Sequence, residues 1–87
     1  MKIGICGSVE SNDCMITCTA NSSDENKVII NSIVDDFFHE QIEKVIFDTL
    51  EEENVKGMIV KCDDKGALDF TIKSRLLTAI HRFNNKL

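Results

Sequence analysis

The stretch Cys14-Met15-Ile16-Thr17-Cys18-Thr19-Ala20 decides how this chain folds. Every second residue falls on the same side of an extended backbone, so one side carries Cys14, Ile16, Cys18 and Ala20, and the other carries Met15, Thr17 and Thr19. A period of two that includes β-branched residues predicts a β-strand. One face of this strand is apolar, and we expect that face to be buried.

The residues before this strand predict its hairpin partner. Residues 3–9 form a short apolar run with Gly4 and Gly7 in it, which predicts an edge strand with a bulge at a glycine. The chain then turns at residues 10–13, because the side chains of Asn12 and Asp13 bond their own backbone and tolerate left-handed angles. The two runs form a hairpin with Ser11 near its tip, and the Ser11 hydroxyl should be exposed.

Beyond this hairpin, a polar loop at residues 21–26 leads to a β-branched strand at residues 27–34. Apolar residues at helical spacing then predict a helix from about residue 36 to residue 52. Asp35 or Asp36 is its expected N-cap, and Asn54 is its expected C-cap.

The last third of the chain predicts two more strands and a helix. The side chains of residues 55–62 alternate from one side of an extended backbone to the other, which predicts a fourth strand. The Asp-Asp-Lys-Gly sequence at 63–66 predicts a second hairpin with Gly66 in the left-handed position. Residues 67–72 alternate again and predict a fifth strand with Phe70 facing inwards. Ser74 is the expected cap of the final helix.

Together these elements follow the order β-β-β-α-β-β-α. This order predicts an α+β fold, a small two-layer sandwich with a mostly antiparallel sheet and two helices on one of its faces. A chain of 87 residues is long enough for a single domain, and we expect residues 1–87 to form one.

The composition excludes several classes of function. The formal net charge is -5 and the five aromatic residues are all Phe, so the chain is a poor binder of nucleic acid and is better suited to basic protein surfaces. No signal peptide and no run long enough to span a membrane is visible, which predicts a cytoplasmic protein without membrane contact.

No catalytic or metal site is predicted. The four cysteines lack the spacing of a zinc site or redox dithiol, so we expect free, mostly buried thiols and no bound metal. The acids around residue 63 fit a turn, and neither histidine has a spacing that would activate a nucleophile. Ser11 therefore indicates either an ordinary turn serine or an attachment point, with Ser8, Ser22 and Ser23 as competing hydroxyls.

Two motifs resemble a known family. The segment Gly-Ser-Val-Glu-Ser-Asn-Asp at 7–13, followed by Met15-Ile16, is similar to the N-terminal signature of the citrate lyase acyl carrier proteins, the gamma subunits. The segment Asp-Asp-Lys-Gly-Ala-Leu-Asp at 63–69 is similar to the second motif of that family, and Arg75 also matches. The resemblance covers nearly the whole chain, with one departure: Asn12 stands where the family has Gly.

The resemblance implies a non-catalytic carrier whose Ser11 hydroxyl is joined by a phosphodiester to 2'-(5''-phosphoribosyl)-3'-dephospho-CoA. It implies that Glu10, Asn12 and Asp13 are recognised around the attachment site by a prosthetic-group transferase. The thiol at the far end of this prosthetic group, which we call the arm, would hold acetyl and then citryl. The alpha subunit, an acyl transferase, and the beta subunit, a citryl lyase, would convert citrate to oxaloacetate and acetate.

Two alternatives remain open at this point. The acyl carrier subunit of malonate decarboxylase uses the same kind of prosthetic group, so the resemblance alone does not separate the citrate and malonate systems. An antiparallel sheet with helices on one face also suits a small ligand-binding or adaptor module that carries no arm.

Overall fold

The computed structural model describes residues 2–33 and 35–85, and at residues 35–37 it describes the backbone alone. This part of the chain contains β1 Ile3–Gly7, β2 Cys14–Ala20, β3 Lys27–Ser32, α1 Asp35–Glu52, β4 Met58–Asp64 and α2 Asp69–Asn84. The α+β class is confirmed, with two helices and a sheet in which antiparallel pairing predominates. Neither of these two helices is long and apolar enough to cross a bilayer.

The sheet has the strand order β1-β2-β4-β3. β2 runs antiparallel to both β1 and β4, whereas β3 runs parallel to β4 and is joined to it by α1. The register pairs Gly7 with Met15, Cys14 with Asp64, and Ser32 with Asp64. The loops that follow β1, β3 and β4 therefore lie at the same end of the sheet, which we call the loop end.

The core lies between one face of the sheet and the two helices. The predicted inner side of β2 is confirmed for Cys14, Ile16 and Cys18, which are fully buried, whereas Ala20 at the end of the strand is exposed. The helices bury residues three or four positions apart, which are Ile42, Ile46 and Leu50 in α1 and Ile72, Leu76, Ala79 and Ile80 in α2. Burial of each large side chain contributes about 1.5–3 kcal/mol, so these rows fix how the helices sit on the sheet.

The C-terminal end of α1 agrees with the sequence. Asn54 has a φ of 55°, and the amide of Val55 donates to the carbonyl of Leu50 at 2.9 Å, as in a helix that ends with a left-handed residue. The prediction of Asn54 as C-cap is confirmed. The predicted third strand at 27–34 is too long, because β3 ends at Ser32 and Ile33 lies in a turn. Val34 and the side chains of Asp35 and Asp36 lie outside the described residues, so the predicted N-cap stays a prediction.

β1 is an edge strand, as predicted, but it has no bulge. Its pairing with β2 runs without an extra residue from Ile3, opposite Thr19, to Gly7, opposite Met15. Gly4 instead lets α2 approach the strand, because a Cβ there would overlap the carbonyl oxygen of Ala79. The bulge prediction was wrong because it considered the strand without the helix above it.

The predicted fifth strand and second hairpin are wrong. The helix α2 begins at Asp69, so Ser74 lies inside the helix and does not cap it, and Phe70 is 71% exposed. A strand at 67–72 would need a free edge of β4, but β2 and β3 already occupy both edges. Helical spacing of the buried Ile72 and Leu76 therefore prevails over the local alternation.

Asp64 turns the chain from β4 towards α2. Its side chain is 1% exposed, accepts hydrogen bonds from the amides of Gly66 and Ala67 at 3.2 and 2.9 Å, and accepts one from the Ser32 hydroxyl at 2.8 Å. Gly66 has a φ of 91°, so the left-handed position is confirmed. Here it serves a strand-to-helix turn.

We expect Asp64→Ala to lower the free energy of unfolding by about 2–4 kcal/mol, because two loop amides lose their acceptor in a buried place. Urea unfolding at neutral pH measures this loss. The matched control is Asp63→Ala, which removes a half-buried carboxylate with one long contact to Asn31 at 3.5 Å and should cost less than about 1 kcal/mol. Equal losses in the two variants would contradict this role of Asp64.

Candidate functional site

Ser11 lies in the loop between β1 and β2. The amide of Asp13 donates to the carbonyl of Glu10 at 3.1 Å, so Ser11 and Asn12 are the two central residues of a β-turn. Ser11 is exposed, and within the described chain its hydroxyl makes no hydrogen bond. The prediction of an exposed serine near a hairpin tip is confirmed.

Asn12 holds the turn in an unusual conformation. Its φ is 66°, the left-handed region that the third residue of a type II turn requires and that Gly or Asn adopts most easily. Asn12 therefore preserves the turn at the position where the resembling family has Gly.

The Ser11 turn is joined to the loop that follows β4. The Asn12 amide donates to the Lys65 carbonyl at 2.8 Å, and the Lys65 amide donates to the Asp13 carbonyl at 2.9 Å. These bonds bring together the two motifs, since the bonded residues 12–13 and 65 lie more than fifty positions apart in the sequence. Each motif thus helps to fix the position of the other at the loop end.

The carboxylate of Asp13 is the electrostatic centre of this arrangement. It accepts two hydrogen bonds from Arg75, at 3.0 and 3.1 Å, one from the Ser8 hydroxyl at 2.7 Å and one from the Cys14 amide at 2.7 Å. The bonds from Arg75 and Ser8 lower the pKa of Asp13 from 3.8 to about 2. Asp13 therefore stays charged and ties the hairpin loop to α2.

This ion pair predicts a pH dependence of stability. Because the pKa of Asp13 is lower in the folded chain than in the unfolded one, its contribution is complete above about pH 4 and is lost as the pH falls towards 2. We expect Arg75→Gln to cost about 1 kcal/mol at pH 7, a figure reduced for the partial exposure of Arg75, and to flatten the fall in stability between pH 4 and 2.

Urea unfolding at pH 7, 4, 3 and 2 checks this expectation. Arg82→Gln is the matched control, since Arg82 lies on the same helix but donates to the backbone carbonyl of Ile5, which does not titrate. If Arg75→Gln and Arg82→Gln showed the same acid profile, the Asp13–Arg75 pair would not be the source of the effect.

The competing serines are placed differently. The Ser8 hydroxyl donates to Asp13, and the Ser23 oxygen accepts the Glu25 amide at 3.2 Å. Ser22 and Ser23 follow the far end of β2, about 23 Å from the loop end at ordinary strand rise. Ser11 is thus the serine that combines a free hydroxyl with a position between the two motifs.

The chain's own thiols are poorly placed to hold an acyl group. All four cysteines are free and buried, as predicted. Burial raises the pKa of Cys18 to about 12, and the hydrogen bond between Cys14 and Cys62 lowers the pKa of Cys14 while it raises that of Cys62. A thioester carried on this protein therefore needs a thiol from an attached group.

Catalytic and metal-binding groups do not gather around Ser11. His39 lies beside Glu43 on α1, His81 lies beside Asn85 at the end of α2, and neither contacts Ser11 in the described chain. Among residues 2–33 and 35–85, no three His, Cys, Asp or Glu side chains are grouped as metal ligands would be. Among the residues that the structure describes, none is hydrogen-bonded to the Ser11 hydroxyl as a base that activates a nucleophile would be.

An apolar groove opens beside the turn, which we call the Phe70 groove. Its volume is about 690 Å³, and its walls include Asn12, Ile33, Phe38, Lys65, Leu68 and Phe70. Four of these are large apolar side chains that remain 46–71% exposed. Sequence reasoning missed this groove because residues 67–72 were assigned to a strand with Phe70 facing inwards.

Sequence comparison decides the family. The family model described as "Malonate decarboxylase delta subunit (MdcD)" matches residues 1–83. The citrate lyase acyl carrier protein of Streptococcus mutans is 45% identical over 81 residues, covering 93% of this chain and 79% of that protein. The chain belongs to the family of citrate lyase acyl carrier proteins. Another relative of this name, from Treponema denticola, is 39% identical and is matched over 92% of its length.

A solved structure shares the fold of this acyl carrier. A chain in the crystal structure of a Pseudomonas malonate decarboxylase hetero-tetramer in complex with malonate has a TM-score of 0.77, with 94% of this chain and 84% of that chain covered. At 14% identity, the likeness extends to the fold alone. The non-catalytic carrier role follows from the relatives, which are named acyl carrier proteins, since such a protein presents a covalently held acyl group to other enzymes.

Proposed function

We propose that this chain is the acyl carrier subunit of citrate lyase and that the Ser11 hydroxyl holds its prosthetic group as a phosphodiester. The proposed group is the phosphoribosyl-dephospho-coenzyme A arm, whose terminal thiol supplies the acetyl and citryl thioesters. The alpha and beta subunits exchange and cleave the acyl group, and a separate transferase attaches the arm.

The observation that carries this proposal is the free hydroxyl of Ser11 on a turn that is held from both sides. An arm that visits two partner active sites needs an exposed anchor, and a fixed anchor loses less conformational freedom when an enzyme binds it. The hydrogen bonds of Asn12 and Asp13 to Lys65 supply that fixity. The buried thiols exclude the simpler route of an acyl group on the chain itself.

The charged groups around Ser11 allow the negative charge that a phosphodiester would add there. A phosphodiester on Ser11 would meet the carboxylates of Glu10 and Asp13, but Arg75 already neutralises Asp13. Glu10 is exposed, and in water two like charges 4 Å apart repel by only about 1 kcal/mol. We propose that the transferase recognises Glu10 and the backbone shape that Asn12 sets, and that Asp13 acts by holding this shape.

The surface fits a cytoplasmic carrier of protein partners. With a net charge of -5, the chain is steered towards basic protein surfaces and away from nucleic acid. We propose that the unit formed by residues 1–87 docks successively on the alpha and beta subunits and on the transferase, all in the cytoplasm.

The acyl carrier subunit of malonate decarboxylase is the second candidate, because the matching family model and the solved relative both have that enzyme in their descriptions. Reconstitution separates the two. The loaded chain, meaning the chain that carries its prosthetic group, is mixed with citrate lyase alpha and beta subunits, and release of oxaloacetate from citrate is measured. In parallel it is mixed with the corresponding malonate decarboxylase subunits, and release of carbon dioxide from malonate is measured. We expect activity with the citrate lyase subunits, and activity with the malonate subunits alone would overturn the assignment.

A further inference from the structure

The Phe70 groove lies directly beside the proposed attachment site. Asn12, the residue after Ser11, lines the groove and donates through its amide to Lys65, which lines it as well. We propose that this groove binds the adenosine portion of the arm that Ser11 carries, so that the nucleotide lies on the carrier while the thiol end stays free. This inference rests on the proposed function.

The chemistry of the groove suits a flat heterocycle. Phe38 and Phe70 present rings that are 46% and 71% exposed, and Leu68 adds an apolar surface that is 62% exposed. Bases stack on exposed aromatic side chains at a gain of about 1–3 kcal/mol each. A volume of about 690 Å³ also lies in the range of pockets that hold small molecules of nucleotide size.

The groove also contains polar groups that suit parts of the arm. Lys65, whose backbone bonds to Asn12 and Asp13, is a cationic residue of the lining and complements the phosphodiester that would join Ser11 to the arm. The lining also includes the Gln41 amide, which donates to Asp69 at 2.9 Å. An amide and a carboxylate at this position offer acceptors to the exocyclic amino group of adenine.

The tether makes the arm a stronger occupant than a partner protein. A group that is covalently held one residue from a groove has an effective concentration in the millimolar range, so stacking of a few kcal/mol is enough to keep it bound for much of the time. A partner subunit would have to bind the same exposed rings at its own lower concentration. Docking of the adenosine portion would also cover the apolar side chains between visits to partners.

Nuclear magnetic resonance of labelled chain, loaded by the transferase and unloaded, tests the inference. In the loaded chain we expect nuclear Overhauser effects between the adenine ring protons and the rings of Phe38 and Phe70, and shifted amide signals for Gly66 and Ala67. Phe70→Ala should be loaded as well as the unchanged chain and should lower the ratio of docked to free arm about tenfold. Phe47→Ala is the matched control, because Phe47 is exposed on α1 but lies outside this groove.

The outcomes separate this inference from the function on which it rests. A chain loaded on Ser11 whose groove signals equal those of the unloaded chain would overturn the inference and leave the carrier function intact. Groove signals that shift only after partner subunits are added, or a Phe70→Ala chain that is not loaded, would assign the groove to a protein partner and would also overturn it. A chain that never gains mass on Ser11 would overturn both.

Discussion

Replacing Ser11 with Ala is expected to abolish attachment of the prosthetic group completely. The reason is chemical, since the phosphodiester needs the Ser11 oxygen and the Ser8 hydroxyl is already donated to Asp13. The Ser11 hydroxyl makes no hydrogen bond in the described chain, so its removal should change the free energy of unfolding by less than about 0.5 kcal/mol. The measurement is the intact mass of chain produced together with the transferase and the enzymes that supply the group.

Two control variants make the result specific. Ser22→Ala removes an exposed hydroxyl at the opposite end of the sheet and should load fully. Ser8→Ala keeps the attachment oxygen but removes one bond to Asp13, so it should load more slowly and reach the same final mass. A full mass increase on the Ser11→Ala chain would contradict the assignment of the site.

Replacing Gly4 with Ala is expected to give the largest loss of stability. A Cβ at this position would overlap the carbonyl oxygen of Ala79 and lie 2.5 Å from the amide nitrogen of Phe83, and both are backbone atoms of α2. A helix backbone cannot move aside as a side chain can, so β1 and α2 would have to separate. We expect a loss of about 3 kcal/mol or more in the free energy of unfolding, measured by urea titration.

Ile5→Ala is the control for this prediction. Ile5 is the next residue of the same strand, points to the uncovered side of the sheet and is 43% exposed, so its truncation should cost less than about 1.5 kcal/mol. The close approach of β1 and α2 would be refuted if Gly4→Ala were as stable as the unchanged chain.

Local periodicity was enough to predict the elements that pack by local rules. The bounds of β2 at Cys14 and Ala20, the end of α1 at Glu52 and the hairpin with Ser11 near its tip follow from spacing and turn chemistry within a few residues. Each of these features depends on side chains that are neighbours in the sequence. Spacing and turn chemistry thus placed Ser11 near the hairpin tip, whereas its role as the attachment residue is implied by the family resemblance alone.

The features that sequence reasoning missed depend on distant partners. The assignment of residues 67–72 to a strand failed because nothing local shows that β3 pairs in parallel with β4 and closes its second edge. The pair of Asp13 with Arg75 joins residues 62 positions apart, and the Phe70 groove is assembled from several separate segments. Of these, Arg75 alone had a signal in the sequence, as one of the matches to the family.

Asn12 shows how a resemblance and a conformation support each other. The resemblance implies Gly at this position, and Asn is the residue other than Gly that most readily adopts the φ of 66° found here. The position is thus constrained by the turn and not by the identity of one amino acid. This is why the departure from the pattern is compatible with the family.

The central claim is that this acyl carrier holds its group on Ser11, and peptide mapping of the loaded, unchanged chain tests it most directly. The chain is produced with the citrate lyase transferase, digested, and fragmented in a mass spectrometer to locate the added mass. We predict that the added mass is found on Ser11 in the peptide that contains Glu10 and Asn12. An added mass located on Ser8, Ser22 or Ser23, or a chain that gains no mass, would contradict it.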